Sequence, residues 1–392
     1  MNRMTALLAI ALLGTGYESF SQQQMPTASL QSCGRADPTY IRTANETGGI
    51  PMFLQPSEVA KSFHLIREST LNNVSTVLWA TGSLTPQPRT IEIPVNSAIQ
   101  RITFTFSFDS DSTRLTLTSP SGKPITTGAS GIEVTELHCG RIVTEIRPEI
   151  GMWRATITGK GRFWVRTEAQ SELYFVDAEF VREAGRPGHE GLFRIEGQPV
   201  AGKPATLRAT VSTTEARSTE FYLVTEGGER IQKVDMRAVS TSDDMNEYLG
   251  TVQLPSLPFR LAVAGLDANN APYQRFFSNL FHAESVEVSW NRTDGELAAG
   301  STTQTVFTVR NTGEARTFQL TVTDAHQFVS RVEPREFVLG AGQSVTIRLD
   351  LKVPAGTRAG TSDDVIVIAT STSGSSTSNS SIARYTIPNR WD

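Results

Sequence analysis

From Thr90 onward, nearly every segment of this chain alternates apolar and polar residues over four to eight positions. A period of two belongs to a β-strand with one packed face and one wet face, because successive side chains leave a strand on opposite sides. Ile102-Thr103-Phe104-Thr105-Phe106, Leu115-Thr116-Leu117, Trp153-Arg154-Ala155-Thr156-Ile157 and Phe163-Trp164-Val165-Arg166 carry the pattern. Turn chemistry separates them, as in Ser119-Pro120-Ser121-Gly122 and Thr158-Gly159-Lys160-Gly161. Short strands joined by Gly/Pro turns fold as antiparallel sandwiches. The expected fold class is mainly β, with tandem antiparallel β-sandwiches.

Three sandwich-sized blocks fit the 392 residues: 81–183, 192–284 and 285–388. The stretch Ala184 to Gly191, with Arg186-Pro187-Gly188 inside it, reads as the linker between the first two. A Ser/Thr run from Thr370 to Ser381 reads as a long hairpin loop, or as an O-glycosylated patch. Ahead of the blocks, residues 22–80 have a different period. A helix is expected from Ser57 to about Thr70, with Ser57 as N-cap and Val59, Phe63 and Ile66 on one apolar face. Ile50 to Leu54 is expected as a strand before it.

Residues 1–21 have the form of a signal peptide. Arg3 gives the positive start, Ala6 to Gly14 the apolar run, and Ser19 and Ser21 the small residues before a cleavage at Gln22. The run is too short to span a bilayer, which takes roughly 20 residues. The expected location is secreted and extracellular, without membrane insertion. A net charge of −4 offers no basic footprint for nucleic acid. Cys33 and Cys139 are the two cysteines, and in an oxidising compartment two thiols more often pair than stay free. A Cys33–Cys139 disulfide is expected, against two unrelated buried cysteines. Asn45, Asn73, Asn291 and Asn379 each open an N-x-[ST] sequon and are the expected glycosylation sites.

The residues Cys33-Gly34, Pro38 and Tyr40, then Thr43-Ala44-Asn45-Glu46-Thr47-Gly48-Gly49 and the helix, resemble the end of the von Willebrand factor A domain in hemicentins and the von Willebrand factor A domain-containing protein seven group. Leu115 to Ile125 and Glu149-Ile150-Gly151-Met152-Trp153 resemble the galactose-binding-like sandwich that follows it there. Pro199 to Val211 and Pro272-Tyr273-Gln274-Arg275-Phe276 resemble the Ig-like module after that. The resemblance covers roughly residues 30 to 285. The third block resembles the Ig-like modules of many extracellular proteins, through Phe307 to Gly313, Leu339 to Ile347 and Val353 to Gly360. It implies a galactose-binding-like sandwich and two Ig-like ones behind a short α/β remnant at 22–80, and work in extracellular matrix or adhesion. The D-x-S-x-S loop that holds the A-domain metal has no counterpart in this sequence, so metal-dependent adhesion is not carried over.

No G-x-S-x-G, H-E-x-x-H, phosphate loop or C-x-x-C occurs. The sequence therefore nominates no catalytic residue, cofactor or metal ligand. His64, His138, His189, His282 and His326 are scattered, and His138 beside Cys139 comes nearest to ligand spacing. Asp109 and Asp111 could begin a calcium loop, but a hairpin turn bonding its own backbone is the favoured reading. Asp243-Asp244 reads as a solvated loop. Trp153 and Trp164 could form a sugar-stacking platform, with core aromatics the favoured reading. The expected function is a secreted non-enzymatic matrix or adhesion protein whose sandwich surfaces bind an extracellular protein or glycan. The alternative is a secreted carbohydrate-binding accessory protein.

Overall fold

A computed structural model describes residues 33–34, 36–71, 73–184, 188–212, 216–241, 245–291, 297–374 and 376–388. The expected signal peptide, the pair Asp243-Asp244 and the Arg186-Pro187 of the linker lie outside the described residues. The described chain is mainly β, in several antiparallel sheets, and divides into two compact units. The first is Met1–Glu179 with Leu207–Thr251 and Pro258–Phe281; the second is Phe180–Thr206 with Val252–Leu257 and His282–Asp392.

The first unit is built on a nine-stranded sheet. Its order is Arg230–Val234, Glu220–Val224, Arg260–Leu266, Pro272–Phe276, Val74–Ser83, Arg162–Ser171, Ile99–Phe108, Gly140–Ile146, Ile132–Leu137. Val74–Ser83 is paired on both edges, as Thr81↔Trp164 on one side and Thr76↔Phe276 on the other. Blocks 81–183 and 192–284 therefore contribute to one continuous sheet, and the boundary at residue 80 falls inside a strand. A three-stranded sheet, Arg89–Val95, Gly151–Thr158 and Arg114–Thr118, closes the core from the other side. There Phe104 meets Trp153 at 5.0 Å between ring centroids.

The segment ahead of this core is docked onto it. Helix α1, Pro38–Thr47, starts where the Asp37 carboxylate accepts the Thr39 N–H at 2.7 Å. It ends at Gly48 in the left-handed region, φ +73°. Only glycine fits there, since a Cβ would stand 2.5 Å from the Ser278 carbonyl oxygen. Residues 50–54 form no strand, contrary to expectation. Instead of pairing edge to edge they bury Ile50 and Phe53 in the main core, with Phe53 at 5.5 Å from Trp164. Side-chain burial, not strand pairing, holds this segment.

Helix α2, Val59–Ser69, follows a 3-10 turn at Pro56–Glu58. Its cap is Gln55, not Ser57, because Glu58 reaches back to the Gln55 N–H at 3.1 Å and closes a capping box. The packed face also differs from the expected one. Glu58, Ser62 and Leu65 are buried, while Phe63 and Ile66 are exposed. The backbone N–H of His138 donates to Glu58 at 2.7 Å, and Leu65 packs with Leu137 and Ile142.

In the second unit, residues 286–386 form two four-stranded sheets. One is ordered Val286–Asn291, Thr302–Asn311, Ser344–Lys352, Val329–Glu333; the other Glu336–Leu339, Arg316–Asp324, Ser362–Ser371, Ser378–Thr386. Their inner faces bury Phe307, Phe318, Ile347, Leu349, Val365 and Val367. The Ser/Thr run is a hairpin whose strands register from Thr370↔Ser378 onward.

Candidate functional site

The candidate site is a groove of about 1600 Å³ in the second unit. Strand Gly191–Arg194 borders it, paired with the preceding strand through Phe193↔Arg182 and terminal in its sheet. Strand Val286–Asn291, terminal in its own sheet, contributes Glu287 to Trp290. Each of these strands pairs with a neighbour on one side among the described residues, leaving a ladder edge that can take an extended chain. Phe193, 49% exposed, adds an apolar anchor.

Ion pairs and an asparagine set the shape of the groove. Arg384 meets Glu196 at 2.7 Å, and Glu196 also accepts the Ile382 N–H at 3.1 Å. Lys203 meets Glu287 at 2.7 Å. All four side chains keep some solvent contact, so these pairs orient the walls more than they stabilise them. Asn379 is buried and holds the loop between walls: its Oδ1 accepts Gln198 N–H at 2.8 Å, and its Nδ2 donates to Gln198 O and Val286 O, both at 2.9 Å. A Cβ on Gly197 would stand 2.2 Å from the same Oδ1, so the loop approaches by virtue of that glycine.

One wall of the groove belongs to the two-sheet sandwich of residues 286–386, the block whose turns resemble Ig-like modules. Residues 287–387 match the family of the VWA7 Ig-like domain. The match falls in the third block and not in the 30–285 stretch that carries the A-domain and galactose-binding-like resemblance. No curated protein matches the chain. Among solved structures it is similar to the Bacillus licheniformis lipase BlEst2 in propeptide form, at 14% identity and TM-score 0.25, over 53% of this chain and 43% of that one. It is also similar to trypsin-activated alpha-2-macroglobulin from Escherichia coli, at 9% identity and TM-score 0.24, over 79% of this chain and 24% of that one. A third is the mouse nectin-like molecule 4 ectodomain, at 9% identity and TM-score 0.17, over 74% and 96%. The chain thus spans less than half the length of the first two, and likenesses this low carry no functional argument.

The VWA7 Ig-like domain holds two of the four sequons, Asn291 and Asn379. Asn291 is exposed, with its Nδ2 on Thr308 Oγ1 at 2.9 Å, and Asn73 in the first unit is exposed too. Asn45 is half-buried in α1, its Oδ1 accepting the Trp164 indole N–H at 3.1 Å. Asn379 has both faces of its amide committed, and a glycan replaces a hydrogen of that same Nδ2. In a glycosylating host, peptide mapping is expected to find glycan at Asn73 and Asn291 and a bare Asn379. Full occupancy at Asn379 would mean that its clamp on Gln198 does not form.

The fold gives several of the remaining sequence candidates structural contacts. Cys33 and Cys139 form a disulfide. The Asp109 carboxylate accepts Arg162 N–H at 2.6 Å and Arg162 Nε at 2.9 Å, which closes a turn. Trp153 and Trp164 are each 1% exposed, so neither offers a ring face to a sugar. Among the described residues, no helix is long and apolar enough to cross a membrane. Sequence reading missed the buried cations. Arg275 is fully buried, donating to Leu173 O, Asn96 Oδ1 and Ser171 Oγ at 2.8–2.9 Å, and burial pulls it down to about 10. Nothing in a single Arg within a strand pattern distinguishes it from a solvated one.

Proposed function

We propose that this is a secreted, non-enzymatic protein of extracellular matrix or adhesion type that holds an extended segment of a partner protein beside its VWA7 Ig-like domain. What carries the reading is the groove bordered by two strands that each end a sheet, since an extended chain binds such an edge through main-chain hydrogen bonds and a side-chain anchor. The VWA7 Ig-like match, the disulfide and the resemblance to hemicentins over residues 30–285 support the class and the compartment. The galactose-binding-like character of the first block rests on that resemblance alone. The sugar-binding alternative, suggested by the galactose-binding-like block and the third module, would have to use surfaces other than Trp153 and Trp164, which lie in the core.

The test is saturable binding of the purified chain to cell layers or decellularised matrix. Phe193→Asp places a charge at the anchor and is expected to weaken binding by about tenfold, roughly 1.4 kcal/mol, with unchanged circular dichroism. Turnover of any substrate in a hydrolase panel would sink the reading. So would binding indifferent to Phe193→Asp.

A further inference from the structure

The corner that joins the two sheets of the VWA7 Ig-like domain places two carboxyls on one donor. Strand Arg316–Asp324 ends at Asp324, a turn carries His326, and the chain crosses to Val329–Glu333 in the other sheet. The backbone N–H of His326 points at both Asp324 Oδ1, at 3.1 Å, and Asp363 Oδ1, at 3.2 Å. The second oxygen of Asp324 accepts the Val329 N–H. Asp363 is 2% exposed, and its Oδ2 is buried without a hydrogen-bond partner. Two carboxylates on one N–H, one of them out of water, repel unless something neutral or positive sits between them.

Among the described groups around Asp363, His326 opposes the shift, but burial and the Asp324 carboxyl outweigh it. From the neighbouring strand, its register partner is Tyr385, itself buried. From the turn come Asp324 and His326, whose ring lies on Phe328 at 5.5 Å. Arg384, also on the neighbouring strand, is directed to Glu196 at 2.7 Å and lies 3.9 Å from Asp364. A protonated carboxyl, by contrast, donates to the other carboxylate and answers the orphaned oxygen.

We propose that Asp324 and Asp363 hold one proton between them, and that this proton latches the Asp324–Val329 corner in mildly acid surroundings and releases it near neutral pH. Burial first, and then the Asp324 carboxyl, push Asp363 up to about 6, while the same group in an unfolded chain ionises near 4. Between those values the folded corner binds more protons than the open one, so its stability falls as pH rises. Below about 4 both states are protonated and the effect is absent; above about 6 it is complete. Two units correspond to roughly 100-fold in the closed-to-open ratio.

Hydrogen exchange of the peptide spanning residues 324–332, measured on the full chain and corrected for intrinsic rates, tests this. Wild-type protection is expected to fall by roughly 10- to 100-fold between about pH 4.5 and about pH 7.5. Asp363→Asn supplies an N–H donor in place of the proton, so at about pH 7.5 it is expected to exchange at least about tenfold more slowly than wild type, with the difference gone at about pH 4.5. His326→Gln keeps the backbone N–H and is expected to leave the wild-type pH dependence intact. Flat wild-type protection would overturn the proposal, as would loss of the dependence in His326→Gln or faster exchange in Asp363→Asn at neutral pH. If Asp363→Asn does not fold, the wild-type profile and His326→Gln decide alone.

Discussion

Replacing Cys33 and Cys139 together with serine is expected to cost the first unit about 4–5 kcal/mol, because the bridge closes a loop 106 residues apart in sequence. In the open form the unfolded chain regains the conformations that a loop of that length denies it. The structural consequence is local. Cys139 follows His138, whose N–H caps Glu58, so the bridge and the base of α2 are fixed at adjacent residues of one hairpin turn. Reduction is therefore expected to loosen residues 33–71 before the nine-stranded sheet yields. Urea unfolding with and without reductant gives the magnitude, and limited proteolysis gives the order of events. A loss below about 1 kcal/mol would mean that side-chain docking alone holds the segment and that the unfolded state is not the one the bridge restrains.

That segment also marks where the sequence stopped being legible. Period-two stretches such as Trp153 to Ile157 announce their strand because a half-wet strand repeats its face locally; Trp153, Ala155 and Ile157 are buried and Arg154 is not. Ile50 to Leu54 has the same apolar character without a strand. What decides between a strand and a docked segment is a partner edge, and edges are supplied by residues far away. The joint Thr76↔Phe276 is of that kind: two residues two hundred apart merge two blocks that turn chemistry alone would separate. The buried face of α2 was hidden for another reason. Phe63 and Ile66 outrank Glu58 and Ser62 on any apolar scale, yet the buried face carries Glu58, which accepts the His138 N–H from a residue far away in sequence. Nothing in the sequence singles out Asp324 and Asp363, which only the fold sets on one N–H.

Replacing Arg260 with alanine is expected to destabilise the first unit by about 3–5 kcal/mol, although no carboxylate forms an ion pair with it among the described residues. Its side chain is fully buried, lies 4.0 Å above the Trp79 ring, and donates to the carbonyls of Ser278 and Asn45. Burial, with Glu226 opposing and Arg166 adding, pulls it down to about 9, so it remains charged at neutral pH. Alanine removes the Arg260 donor from two part-buried carbonyls and leaves a cavity beneath Trp79. Each orphaned group costs about 1–3 kcal/mol, offset in part by relief from holding a charge out of water. Arg260→Met separates the terms, since it fills the cavity and still leaves the carbonyls bare. Arg260→Lys is expected to restore only a minority of the loss, because one ammonium cannot reproduce a planar fork between two carbonyls while lying on an indole. The readout is urea unfolding with hydrogen exchange over residues 45–54, where the Asn45 carbonyl and the Gly49 carbonyl, which accepts the Trp79 indole N–H at 2.9 Å, tie the docked segment down. Since the disulfide restrains the same segment, the two losses are expected to combine to less than their sum. Full additivity would place the effect of Arg260 in the sheet alone and not in the docking of residues 33–71.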